Sequence, residues 1–169
     1  FTLNATGGAY TPANVAAQIN NQFTNATSDH ASGVDLLAQY QTEAFGGDLT
    51  FTGNASWIEV TRILTSTSPE TPASGIAFYP AEFKGRFGAT WSADGFTVST
   101  AINHVGGVSN TNVSPNVDVD PMTTLDLVFD YQIETGPLGD MGFTLAVLNL
   151  FDQEPSYMKP GQAFYVPYD

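Results

Sequence analysis

The chain has no cysteine, so it can build neither a disulfide framework nor a thiolate zinc site. Cations are almost as scarce. Arg62, Lys84, Arg86 and Lys159 stand against 17 acidic side chains, for a net charge of −13. That balance excludes a nucleic-acid binder, which neutralises phosphates with clustered Lys and Arg, and it disfavours polybasic attachment to anionic lipid. No apolar run approaches the roughly 18 residues of a transmembrane helix. The opening residues Phe1 to Thr6 carry neither the basic nor the apolar region of a signal peptide. Charged residues make up 12% of the 169 residues, about half the usual share of roughly 25%. Thr, Ser, Asn, Gln and Gly fill the difference.

What is present is alternation. Thr123 to Glu134 sets Thr123, Leu125, Leu127, Phe129, Tyr131 and Ile133 against Thr124, Asp126, Val128, Asp130, Gln132 and Glu134. An extended strand puts these two sets on opposite faces. The same period of two runs through Gly33–Glu43, Asp48–Trp57, Phe83–Ser92 and Gly95–Val105. Further strands are expected near Phe1–Thr6 and Gly142–Leu150. Helical spacing is confined to Pro12–Phe23, where Val15, Ala16, Ile19 and Phe23 share a face; a short helix within a loop is one reading of it, an irregular loop the other. The expected fold is all-β, an antiparallel up-and-down meander of about seven long strands, part of or forming a transmembrane-type β-barrel.

Two patterns point to the barrel. Strands of about 9–12 residues exceed the 5–6 common in globular sheets and match the 9–11 of a tilted membrane strand. Short connections with turn chemistry, at Phe45-Gly46-Gly47, Ala93-Asp94-Gly95 and Gly136-Pro137-Leu138-Gly139, alternate with long ones rich in Ser, Thr, Asn and Pro. One end of the meander is trimmed and the other elaborated, as in outer-membrane barrels. The aromatics agree: Tyr40, Trp91, Phe96, Tyr131 and Phe143 fall toward the trimmed end, Trp57 and Phe83 toward the other. The alternative is a soluble, secreted β-sandwich or small barrel acting as a binding or adhesion module, with the apolar set as its inner core.

Leu145-Ala146-Val147-Leu148-Asn149-Leu150-Phe151-Asp152-Gln153-Glu154-Pro155 resembles the carboxy-terminal signature of TonB-dependent outer-membrane receptors. The preceding Thr123-Thr124-Leu125-Asp126-Leu127 is similar to that family's next-to-last hairpin. Gly33-Val34-Asp35-Leu36 and the tail from Gly161 to Asp169 also resemble it. The resemblance runs from about Gly33 onward. Such receptors are barrels of about 22 strands with a plugged lumen. It therefore implies that the chain is one incomplete barrel segment, residues 1–169, without plug, TonB-contacting segment or last strand. It further implies a bacterial outer-membrane location, contact with outer-membrane lipid, and a link to the TonB system through the parent's plug. The solute would be scarce and bulky, such as an iron chelate, cobalamin or an oligosaccharide. An open edge in lipid leaves backbone groups unpaired, so an isolated segment is expected to self-associate through its edges, close on itself or avoid the membrane.

Catalytic chemistry finds no support. No nucleophile-elbow pattern occurs. His30, expected in a polar loop, and His104, expected at a strand end, lack metal-ligand spacing. Asn116-Val117-Asp118-Val119-Asp120 echoes the start of an EF-hand loop, but Pro121 stands where Gly is required and Leu127 where Glu is; a solvated acidic loop is the better reading. The sequence assigns no enzymatic activity, catalytic residue, metal or cofactor. Lys84 and Arg86 share a strand's polar face and are expected to point inward. Asp29, Glu70, Glu82, Asp118, Asp120, Asp152, Glu154 and Asp169 make the long-loop end acidic against Lys159, so the outer mouth is expected to be negative and to attract cationic or metal-chelate solutes. Loop residues Tyr79, Asn110 and Asn112 are the candidates for ligand contact.

Overall fold

The structure, a computed structural model, describes residues 2–4, 15–18, 28–65, 67–136 and 139–158. Among these residues the regular elements are all strands. They are β1 (Thr2–Asn4), β2 (Val15–Gln18), β3 (Ser28–Ala44), β4 (Gly47–Ile63), β5 (Thr71–Pro72), β6 (Phe83–Ala93), β7 (Phe96–Val105), β8 (Val108–Asn110), β9 (Val117–Val119), β10 (Met122–Gly136) and β11 (Gly139–Val147). The main sheet is an antiparallel meander in the order β11-β10-β7-β6-β4-β3, with β5 beside the far end of β4. β1 pairs with β2, and β8 with β9, in separate two-stranded sheets.

The expected all-β meander is thus present, with differences that have physical causes. Of the seven expected strands six form the meander; the first lies outside it, paired with Val15–Gln18. That pairing replaces helix within the Pro12–Phe23 stretch, because an amphipathic stretch of only about three turns is too short to offset the cost of helix nucleation. The rest of that stretch lies outside the described residues. β3 and β4 each reach 17 residues, past their expected ends. Asp29 and His30 therefore lie in β3, opposite Arg62 and Thr61, not in a loop. The sheet is open: β3 and β11 are its two edges, so among the described residues the chain does not close a barrel on itself.

Two connections at one end are as short as hairpins allow. Phe45 and Gly46 have φ of 55° and 76°, and Asp94 and Gly95 have 49° and 81°. Left-handed backbone at both central residues is the primed turn, whose twist matches that of the flanking strands. Pro137 and Leu138 of the third expected turn lie outside the described residues.

The register turns alternation into two faces. On one, Ala38, Gly53, Phe87, Ile102 and Leu125 lie side by side, as do Thr42, Leu49, Trp91, Val98, Phe129 and Leu145. Phe96 and Tyr131 meet with ring centroids 4.3 Å apart and planes tilted by 30° near the turn end, and Trp57 and Phe83 pair near the other. This apolar face is uncovered: Val34 is 73% exposed, Leu145 62% and Trp57 59%. The opposite face carries Gln39, Thr52 and Asp126 in one row and Asn54, Arg86, Asn103 and Thr124 in another.

The buried cluster lies elsewhere, at the long-loop end. Ala77, Ala81, Val108, Val119 and Met158 form it, with Val105 packed against it. Val105 has the parity of Asn103, so this loop cap sits on the polar-face side.

Candidate functional site: the polar face and the loop cap

The polar face is a set of cross-strand bonds that alternation in sequence makes possible. Arg86 donates from Nη1 to Asn103 Oδ1. Asn103 Nδ2 donates to Thr124 Oγ1 at 3.2 Å and to Asp126 Oδ2 at 2.8 Å. The Arg86 guanidinium lies 3.9 Å from that same carboxylate. Arg86 thus points to the polar face and meets an acidic neighbour, and Lys84 shares the face two residues earlier. Toward the turn end the face becomes hydroxylic, with Thr90–Ser99 and Ser92–Thr97 contacts of 3.0 Å each. A hollow of about 280 Å³ is lined by Arg86, Thr90, Ser99 and Asp126 among others.

Asp126 also meets the chain just past the end of β11. Its Oδ1 accepts the Asn149 backbone N–H at 3.0 Å. Asn149 itself has left-handed φ, 52°. Its amide closes a ring with Gln153, accepting from Gln153 N–H at 2.9 Å and donating to Gln153 O at 3.1 Å. The chain leaves the sheet here and carries Met158 into the cap. The Asn-Leu-Phe-Asp segment is thus a strand terminator with a defined hydrogen-bond scheme.

The cap is built from three segments. Residues 73–82 hang from β4, with Ala73 N–H donating to Val60 O at 2.7 Å and Ile58 N–H to Glu82 O at 2.8 Å. Buried Ser74 adds a bond, its Oγ accepting Val60 N–H at 3.0 Å. The β8–β9 hairpin is tied alongside, Ala77 N–H donating to Ser109 O at 3.0 Å and Ser109 N–H to Gly75 O at 2.9 Å. The tail closes over both. The ends of β3 and β4 project past the apolar band beside the cap, and there Arg62 grips Asp29 with two bonds, Nε–Oδ1 at 2.8 Å and Nη2–Oδ2 at 2.7 Å. The guanidinium holds the Asp29 carboxyl below the ordinary carboxylate range, mainly through these bonds, and the carboxylate in turn raises the Arg62 value. The same guanidinium carbon lies 5.7 Å from the centroid of the Tyr79 ring.

All three sequence-derived contact candidates fall in or beside this cap. Tyr79 is half-buried beside Arg62. Asn112 is exposed. Asn110 is buried at 3% exposure, its Oδ1 accepting the Asn112 N–H at 3.1 Å, so it shapes the turn instead of facing solvent. Sequence reasoning missed Arg62 and Asp29, because nothing local signals a contact across 33 positions. It also passed over Phe78, whose φ of 70° only the folded loop reveals.

The remaining motifs are structural. His104 Nδ1 lies 2.8 Å from Thr123 Oγ1 and its ring 5.7 Å from that of Phe83, on the apolar face. Residues Val117–Val119 form a paired strand, β9, where an EF-hand needs a turning loop; the Ser109 hydroxyl donates to Asp118 Oδ1 at 2.9 Å. Among the described residues no group of three or more His, Cys, Asp or Glu side chains converges on a metal position.

Comparison with protein-family models, curated proteins and solved structures finds no match to this chain.

Proposed function

We propose that the chain is a wall-and-loop segment of a bacterial outer-membrane receptor of the TonB-dependent kind, importing a bulky solute. The observation that carries this reading is the uncovered apolar face continuous across six strands, backed by a polar face on the same residues' alternate positions. A sheet with one apolar and one hydrogen-bonding face suits a barrel wall between lipid and an aqueous lumen. β6 and β7, 11 and 10 residues long, have the length of a tilted spanning strand, about 9–11. Aromatics bound the apolar band at both ends, as at a membrane interface. Arg86 and Lys84 on the lumen face avoid the roughly 2–4 kcal/mol that a cation costs against lipid at the midplane.

In this reading the cap forms the outer mouth, and the solute passes a lumen of hydroxyl and amide groups. Gating and energy belong to the parent's plug, reached by TonB, and the open edges of β3 and β11 are covered by neighbouring strands, or in isolation by another copy. The secreted sandwich module remains the competitor; it requires a second sheet over Trp57 and Leu145.

The two tryptophans of the chain test the choice. Trp57 and Trp91 both lie on the apolar face, near opposite ends. After reconstitution into vesicles, lipids brominated near the headgroup are expected to quench both, and lipids brominated at the chain ends to quench both less. A stable monomer in plain buffer, with neither tryptophan quenched by vesicles, would overturn the lipid-facing assignment.

A further inference from the structure

Among the described residues the main sheet ends in two open edges, β3 and β11. Ala38 in β3 and Ala146 in β11 are exposed although their side chains are short, whereas Ala101 in the interior strand β7 is buried. An edge bearing exposed apolar side chains, as these do at Leu36 and Leu145, is a template for pairing with another chain. In lipid its N–H and C=O groups have no water to turn to. The two edges run in opposite directions. β3 starts at the loop end with Ser28 and reaches the turn end at Ala44, while β11 leaves the turn end at Gly139 and heads back to Val147. The meander thus presents one descending edge and one ascending edge.

We infer that two copies of the chain, where no other strand covers these edges, join head to tail: β3 of each pairs with β11 of the other, closing a ring of twelve strands with both caps on one side. This inference rests on the lipid-facing reading of the apolar face. Symmetry selects the pairing. A contact of β3 with β3, or of β11 with β11, is isologous and needs a two-fold axis between the copies. With that axis perpendicular to the sheet, the strands are antiparallel but one cap lies on each side of the membrane. With the axis along the strands, the caps agree, but one copy turns its polar face, with Arg86 and Asp126, toward lipid. β3 against β11 preserves both ends and both faces. It is also antiparallel, like the other pairings of the meander. Size selects the number of copies. An eight-stranded barrel is just wide enough for its own side chains. Six strands closed on themselves would be narrower still, with Lys84, Arg86, Asn103 and the cap all on the inner side. Two copies of the six-stranded meander give an even number of strands, as membrane barrels have, and room for these groups.

The chain has no cysteine, so introduced cysteines report the pairing without background. Full chains carrying Leu145→Cys alone are refolded into vesicles with chains carrying a single cysteine in place of Ser32, Val34, Leu36, Ala38 or Tyr40, and then oxidised. All six positions are exposed, so the substitutions leave the fold intact. Directly opposed residues on paired strands stand about 4.5–5.5 Å apart at Cβ, near disulfide reach, and residues displaced by two do not. The expected result is a covalent dimer between Leu145→Cys and one of the five β3 positions, with no dimer from any single-cysteine chain alone. The chain carrying both cysteines of that pair is expected to lose its single-chain band to a dimer band. A self-dimer of any single-cysteine chain would show isologous pairing. An internal disulfide in the double variant would show closure by one copy, and a ladder of larger products an open or wider ring. No cross-link at any position would show that the edges do not meet. Each of these outcomes overturns the ring. If Trp57 and Trp91 are still quenched by brominated lipid in that case, only the ring falls; if neither is quenched, the lipid-facing reading falls with it.

Discussion

Arg62 and Asp29 face each other across the β3–β4 ladder and join through two parallel hydrogen bonds, 2.7 and 2.8 Å long. A guanidinium fork on a carboxylate is the strongest form of ion pair a sheet surface offers. Here it does more than join two strands, because the guanidinium also backs Tyr79 on a third segment.

Arg62 lowers the Asp29 value, so the sign of its pH dependence is fixed. With the folded value below the unfolded one, the contact contributes fully above the unfolded value of about 3.9 and is lost as pH falls through the folded value. In a carbon-detected NMR titration the Asp29 carboxyl is expected to titrate below the ordinary range, and Arg62→Gln to move its midpoint back up. High salt should narrow the gap, since the pair is exposed and screened. An identical midpoint in both proteins would show that the guanidinium is not the cause.

The turn at Phe45 is a local flaw. Its φ of 55° is left-handed and its side chain is 91% exposed, so removing the ring sacrifices almost no packing. Asparagine adopts this backbone more readily and, followed by Gly46, makes the preferred primed turn. Phe45→Asn is expected to stabilise the β3–β4 hairpin by about 1 kcal/mol, read as a higher melting temperature. An unchanged or lower value would mean that Phe45 makes a compensating contact in the assembled protein.

Asp126 holds both Asn103 and the Asn149 N–H. Asp126→Ala strands two donors at once, with an expected loss of about 1–3 kcal/mol. Hydrogen exchange offers a sharper reading than global stability. The Asn149 amide should lose protection most, followed by Leu150, whose N–H donates to Leu125 O at 2.7 Å. Protection retained at Asn149 would argue that backbone pairing, not the carboxylate, ends β11.

Much of the main sheet was legible before folding. Alternation placed Leu125, Leu127, Phe129 and Tyr131 on one face and Asp126 and Asp130 on the other, because a strand's side chains alternate whatever their partners. The tight turn at Asp94-Gly95 was legible for a similarly local reason. The site was less so. Tyr79 and Asn112 were chosen from a polar loop, while the burial of Asn110, the strain at Phe78 and the Arg62–Asp29 pair depend on chain segments far apart in sequence.

The sequence by itself determined the all-β character, the two-faced strands, the polar-face position of Lys84 and Arg86, and the contrast between a trimmed and an elaborated end. Each follows from local spacing and turn chemistry, which act within a few residues. Only the tertiary structure decided that β3 and β4 extend to 17 residues, that Thr2–Asn4 leaves the meander, and that loops 64–82 and 106–121 join the tail around Met158 in one buried cluster. Those outcomes require register and long-range packing: β3 runs on to Ser28 because its ladder with β4 continues unbroken to Ile63, with Asp29 opposite Arg62, and the cap exists because five apolar side chains from three distant segments bury one another.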